Sequence, residues 1–211
     1  MPPDIVVLAG VNGAGKSSVA GAALEATGGA YYNPDRATRS YVAAGLSPQE
    51  ANARAWRRGV EQLDRAIRLP ASYAFETTLG GRTVTRRLLE AARLGLRVRV
   101  WYVGLASPEL HIERVKSRVE RGGHDIPEER IRVRWIRSRE NLVRLLPALH
   151  ELALFDNSLE AQLDENEVPA PLRLLHLTRG TLAHLAPPDT IPAWSRPIIA
   201  TVLKLGETME G

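Results

Sequence analysis

The stretch LAGVNGAGKSSVAG, residues 8–21, decides the fold. Gly10, Gly15, Lys16 and Ser17 fit the pattern G-x-x-x-x-G-K-[ST] at the required spacing. The glycines let backbone N–H groups converge on a β-phosphate. Lys16 is placed to reach β/γ oxygens, and the Ser17 hydroxyl to hold Mg²⁺. An apolar run, DIVVLAG, enters the loop as a buried strand, and a Ser/Val/Ala/Leu-rich helix over residues 16–27 leaves it, its N-terminal dipole favouring anions. Gly10, Val11, Asn12, Gly13, Ala14, Gly15, Lys16, Ser17 and Ser18 are therefore the expected nucleotide-binding residues, with ATP and Mg²⁺ as cofactors.

Other phosphate-loop classes are excluded by what is missing. No G-x-G-x-x-G fits this turn, so a dinucleotide fold is rejected. There is no N-K-x-D for reading guanine, no LSGGQ-like signature, and no apolar run ending in a paired Asp-Glu. A compact P-loop kinase remains.

Working outward, apolar runs alternate with helical patterns, which predicts a three-layer α/β fold around a mostly parallel sheet of about five strands. GGAYYNPD is expected to hold a short second strand and a turn. SPQE (residues 47–50) is a capping box with Pro at the first helical position; it opens a helix with Ala55, Val60, Leu63 and Ile67 on its apolar stripe. SYAFETT is a strand ending near Glu76, followed by a helix over 83–94. In LRVRVWYVGL, Arg97 and Arg99 alternate with Val98 and Val100, which suggests a sheet edge. SPEL starts a helix to about residue 121, GGH breaks it, and DIPE caps another to about residue 146. HELALFDNS, LRLLHLT and a helix near 198–205 follow. The organisation is one domain over 1–211, with a core at about 4–158, a helical lid at about 107–146, and a C-terminal extension over 159–211.

The composition is that of a globular protein: 44% hydrophobic, 25% charged, net charge +4. There is no cysteine, and the five histidines lack ligand spacing, so neither disulfides nor a zinc site is expected. No apolar run approaches a membrane span, and a cytoplasmic location with no membrane partner is expected. Only three of the 28 basic residues are lysines. The arginine excess favours polyanionic partners only weakly, so nucleic acid ranks below a small molecule as acceptor.

Ligands of an open α/β sheet gather beyond the carboxyl ends of its strands. Asp35 and Glu76 belong there. A kinase acting on a hydroxyl needs a carboxylate to take or orient its proton, and Asp35 is the first candidate; its alternative is a plain helix cap after Asn-Pro. Glu76 is read as contacting the acceptor or water on Mg²⁺, with Thr77 and Thr78 as hydrogen-bonding neighbours. Arg114, Arg118 and Arg121 share one helix face, and Arg130, Arg134, Arg137 and Arg144 a second, around an apolar stripe of Ile131, Trp135 and Leu142. Two basic faces joined by Gly-Gly form a lid able to close on triphosphate, or else a solvated face paired with Glu113, Glu120 and Glu128. FDNS ends the last core strand and places Asn157 near the nucleotide.

GVNGAGKSS, YNPD, FETTL, RVKSRVERGGHDIP, RVRWIRSRENL and FDNS, in that order, resemble the zeta-toxin-like P-loop kinases of bacteria over about residues 4–158. The resemblance implies phosphorylation of a sugar hydroxyl, with UDP-N-acetylglucosamine the candidate acceptor and an antitoxin protein the candidate partner. It implies ATP and Mg²⁺ on Lys16 and Ser17, Asp35 as the acid activating the hydroxyl, and Glu76 at the substrate. It makes Arg118 and Arg134 the phosphate-clamping arginines, with Arg121 and Arg137 as alternates one turn away.

Overall fold

A computed structural model describes residues 2–17, 30–123, 125–159 and 170–210. The helix expected over 16–27 lies beyond Ser17 outside the described residues, as do Ser18, His124 and most of the acidic stretch after residue 159. In chain order the elements are β1 (Asp4–Ala9), α1 (Pro34–Ala43), α2 (Pro48–Arg68), β2 (Tyr73–Thr77), α3 (Arg82–Arg93), β3 (Arg97–Gly104), α4 (Pro108–Glu120), α5 (Glu128–Leu145), β4 (Glu151–Asp156), β5 (Leu172–Thr178), β6 (Thr181–Leu185) and α6 (Arg196–Glu210).

The strands form one sheet in the order β2-β1-β3-β4-β5-β6. The first four are parallel, while β5 and β6 add an antiparallel hairpin. The chain leaves β1 for β2 on one side and returns to β3 on the other. That reversal opens a crevice beyond the carboxyl end of β1. Period-2 alternation sends Ile5, Val7, Val98, Val100, Tyr102, Leu152 and Leu154 to one face, where they pack against Leu63 and Ile67 of α2, Leu88 of α3, Leu142 and Leu145 of α5, and Ile198 of α6. On the other face Val103 and Leu105 meet Ala14 in a smaller cluster with Leu110 and Phe155.

Local chemistry sets the helix starts. Ser47 and Glu50 form the complete capping box of α2, with Pro48 in its first turn. Ser107 caps α4 by accepting from the Leu110 N–H. Four expectations are corrected. The strand in GGAYYNPD reduces to a single bridge between Tyr32 and Phe75, because Asn33 and Pro34 start α1 at once. DIPE is not a side-chain cap: α5 starts after Pro127, and the Asp125 carboxylate takes the adjacent Ile126 N–H instead. The edge reading of β3 fails, since β3 lies between β1 and β4. Its arginines are tolerated inside the sheet because Arg97 pairs with Asp4 at 2.8 Å and Arg99 donates to Glu151 at 2.7 Å. The sheet has six strands rather than about five, the addition being β6.

Candidate active site

The phosphate loop is built by a buried strand that stops abruptly. Gly10 N–H donates to Thr77 O at 3.2 Å, the last ladder-like contact, and the chain then curls so that Ala14 N–H reaches Val11 O. Gly13 and Gly15 sit at φ of +84° and +82°, a region side chains disfavour. A Cβ on Gly13 would also lie 2.7 Å from the His111 carbonyl oxygen. Three side chains distant in sequence brace the curl. His111 Nδ1–H donates to Asn12 O at 2.8 Å, Asn157 donates to Ala14 O at 2.9 Å, and Arg134 donates to the Asn12 side chain at 2.8 Å. Burial, outweighing the Asn12 hydrogen bond, lowers the His111 pKa to about 4, so the brace is a neutral imidazole.

Below the loop lies a compact charged cluster. Lys16 and Glu76, only 6% and 8% exposed, face each other at 3.4 Å. Glu76 also accepts from Ser17 Oγ at 2.8 Å and from Asn33 Nδ2 at 2.9 Å. Asp35 lies in the first turn of α1 and pairs with Arg118 of α4 at 3.4 Å. The cap of that helix is Asn33, not Asp35, whose carboxylate therefore has no capping role.

Two cavities meet at this cluster. Asn12, Lys16, Asp35 and Glu76 line both. The first continues past Gly13, Gly15, Ser17 and Asn157 to Arg114, Arg118 and Arg121. The second, about 380 Å³, holds Tyr32, Trp56, Phe75, Thr77, Thr78 and Arg134. Thr77 and Thr78 hydroxyls accept from Leu79 and Gly80 N–H, so both shape the loop after β2. Arg130 also lines the second cavity, whereas Arg137 is exposed and lines neither. Arg144 is exposed and donates to Asn141. Burial lowers the Arg134 pKa, and Arg130 adds to it, while Asp35 opposes.

The donor set fits a nucleotide triphosphate with a hard cation. A buried ammonium, a hydroxyl and a carboxylate converge beside a glycine curl. Among the described residues no three His, Cys, Asp or Glu side chains group to hold a metal by themselves. Ser17 and Glu76 would supply two oxygens, which suits Mg²⁺, a cation that keeps phosphate and water ligands.

The sequence model of a family described as AAA domain matches residues 5–141. The chain belongs to that family. The matched AAA domain runs from Ile5 in β1 through most of α5, and so includes the loop, Asp35, Glu76 and Arg114, Arg118, Arg121, Arg130, Arg134 and Arg137. An uncharacterised protein of Haemophilus influenzae is 27% identical over 142 residues, 64% of this chain and 94% of the relative. A chain of the AvrRxo1-ORF1:AvrRxo1-ORF2 complex shares the fold with a TM-score of 0.62 at 18% identity, over 95% of this chain and 64% of that one. This chain thus spans under two thirds of that neighbour. A provisionally assigned kinase from Chloroflexus aurantiacus gives a TM-score of 0.57 at 17% identity, covering 79% of this chain and 94% of its own. The PezAT chromosomal toxin-antitoxin system of Streptococcus pneumoniae gives 0.52 at 15%, over 99% and 85%. The fold of this AAA domain is therefore P-loop kinase-like.

Several side chains that shape the site are not among the expected site residues, although Asn33 lies within YNPD and Asn141 within RVRWIRSRENL. His111, Asn33 and Asn141 act across long separations; Asn141 Nδ2 holds Leu79 O at 2.8 Å, fixing a buried leucine at φ +53° beside the second cavity. Trp194, in the C-terminal extension, donates to Asp156 at 2.9 Å, next to Asn157. No helix among the described residues is long and apolar enough to cross a membrane.

Proposed function

We propose that the chain is an ATP-dependent, zeta-toxin-like kinase that transfers the γ-phosphate to a hydroxyl of a small molecule. The observation that carries this reading is the position of Asp35: it lines both cavities where they meet, beside Lys16 and Glu76. The first cavity is the donor side, with Gly13, Gly15, Lys16 and Ser17 around the phosphates and Asn157 beside the loop. An AvrRxo1-ORF1:-ORF2 structure solved with ATP is a neighbour of the same fold, which supports ATP as the donor. The second cavity is the acceptor side, of a size that takes a small organic molecule. Bound Mg²⁺ would neutralise charge on the transferring phosphoryl group. Asp35 orients the acceptor hydroxyl and receives its proton. Arg118 and Arg134 approach from α4 and α5 and offset negative charge as it spreads over the phosphoryl oxygens. Glu76 is better placed to hold Ser17 and the cation than to bind the acceptor, because its carboxylate points at Ser17 and Lys16.

A nucleotide sugar such as UDP-N-acetylglucosamine heads the acceptor series. An acceptor screen with labelled ATP and Mg²⁺ tests the class, using nucleotide sugars, nucleosides, simple sugars and RNA. Label on a small-molecule hydroxyl supports the reading; label on RNA ends alone replaces it with a polynucleotide kinase. A restraining protein partner is a second reading, motivated by the AvrRxo1 complex and the PezAT toxin-antitoxin system among the neighbours. Co-purification with the product of an adjacent gene, and inhibition by it, tests that reading.

A further inference from the structure

We propose that Asn33 is a positioning residue for phosphotransfer: its single side-chain amide sets both the Glu76 carboxylate and the start of the helix that carries Asp35. The inference rests on the kinase reading above. Asn33 is 7% exposed, and both ends of its amide are used. Oδ1 accepts the Arg36 N–H at 3.0 Å and caps α1; Nδ2 donates to Glu76 Oε2 at 2.9 Å and approaches Ser17 Oγ at 3.4 Å. The orientation is fixed, since reversing the amide would set an NH₂ against the Arg36 N–H and an oxygen against a carboxylate.

Two physical needs meet in this residue. A nearly buried carboxylate must keep donors, or its charge becomes expensive. Among the described residues Glu76 has three: Lys16, Ser17 and Asn33. In the proposed reaction Lys16 turns to phosphate and Ser17 to the cation. The Asn33 donor is then the one whose aim does not change, and it holds Oε2 toward Ser17. The same amide anchors the first turn of α1, two residues before Asp35 in sequence. Asn alone among good capping residues offers an acceptor and a separate NH₂ donor: Asp has no donor, and Ser or Thr is too short to serve both ends.

Asn33→Ser and Asn33→Ala separate the two roles. Both remove the donor to Glu76, but Ser keeps a capping oxygen. The measurements are the thermal midpoint without ligands, and ADP affinity by calorimetry in EDTA and in Mg²⁺. We expect the thermal midpoint to fall in both variants, and further in Ala, which loses the capping oxygen as well as the donor to Glu76. We expect ADP affinity in EDTA to be unchanged in both, and the extra affinity conferred by Mg²⁺ to shrink by roughly tenfold or more in both, the effect of losing a partner that orients a metal ligand. An undiminished Mg²⁺ effect in both variants, or a loss confined to Ala, would overturn the positioning role and leave Asn33 a cap. Failure of the wild-type protein to bind ADP would instead overturn the nucleotide reading beneath it.

Discussion

At the residue scale, the loop lysine and serine declare themselves by spacing, while the groups that make them work do not. Lys16 and Ser17 follow from the four-residue spacing between Gly10 and Gly15. His111 could not be found that way: its partner, Asn12, is 99 positions earlier. The imidazole carries a testable signature. Its pKa of about 4 lies below the ordinary 6.5, chiefly through burial. The unfolded chain therefore takes up a proton that the folded chain refuses. Stability is full above about pH 6.5 and declines as pH falls from there toward 4, by at most about 3 kcal/mol. Urea unfolding at pH 7 and pH 4.5 should show a larger loss for the wild type than for His111→Asn. Arg134→Ala should lower kcat by about 10²–10³, the scale of losing one charge-stabilising donor. Steady-state kinetics with a saturating acceptor checks it, and a variant that keeps wild-type kcat would remove Arg134 from the phosphate clamp.

At the scale of elements, helix starts were readable where chemistry is local. SPQE gives the capping box of α2 and SPEL the cap of α4, since both act within four residues. DIPE carries the same letters in pattern, yet its acid turns back on the next N–H, because the residue in the cap position is Pro127. Ser47→Ala should cost about 1 kcal/mol of unfolding free energy, read by urea denaturation. The end of β4 depends on a distant element. Trp194 packs over Gly104, where a Cβ would stand 2.3 Å from a ring carbon, while its indole N–H holds Asp156. Gly104→Ala should therefore destabilise by about 1–3 kcal/mol by overpacking. It should also weaken ATP binding, because Asn157 braces the loop from that strand end. Unchanged ATP affinity in a folded Gly104→Ala protein would uncouple the C-terminal extension from the site.

At the scale of the whole molecule, alternation of apolar runs and helical patterns sufficed for the α/β class, because parallel strands buried on both faces leave continuous hydrophobic signatures. Strand order was not readable. Arg97 and Arg99 look like edge residues until Asp4 and Glu151, on the neighbouring strands, are set beside them. The hairpin strand β6 escaped because every residue in it is exposed, so no buried stripe marks it. The same global arrangement creates the functional claim. The assembled sheet puts Asp35, Lys16 and Glu76 into the lining that two cavities share.

The most direct test of that claim compares wild-type protein and Asp35→Ala in single-turnover transfer of labelled γ-phosphate from ATP to an acceptor hydroxyl, with ATP affinity measured in parallel. The account predicts unchanged ATP binding and a transfer rate lower by about 10²–10⁴, the usual contribution of a positioned base. Transfer by Asp35→Ala at the wild-type rate would contradict it.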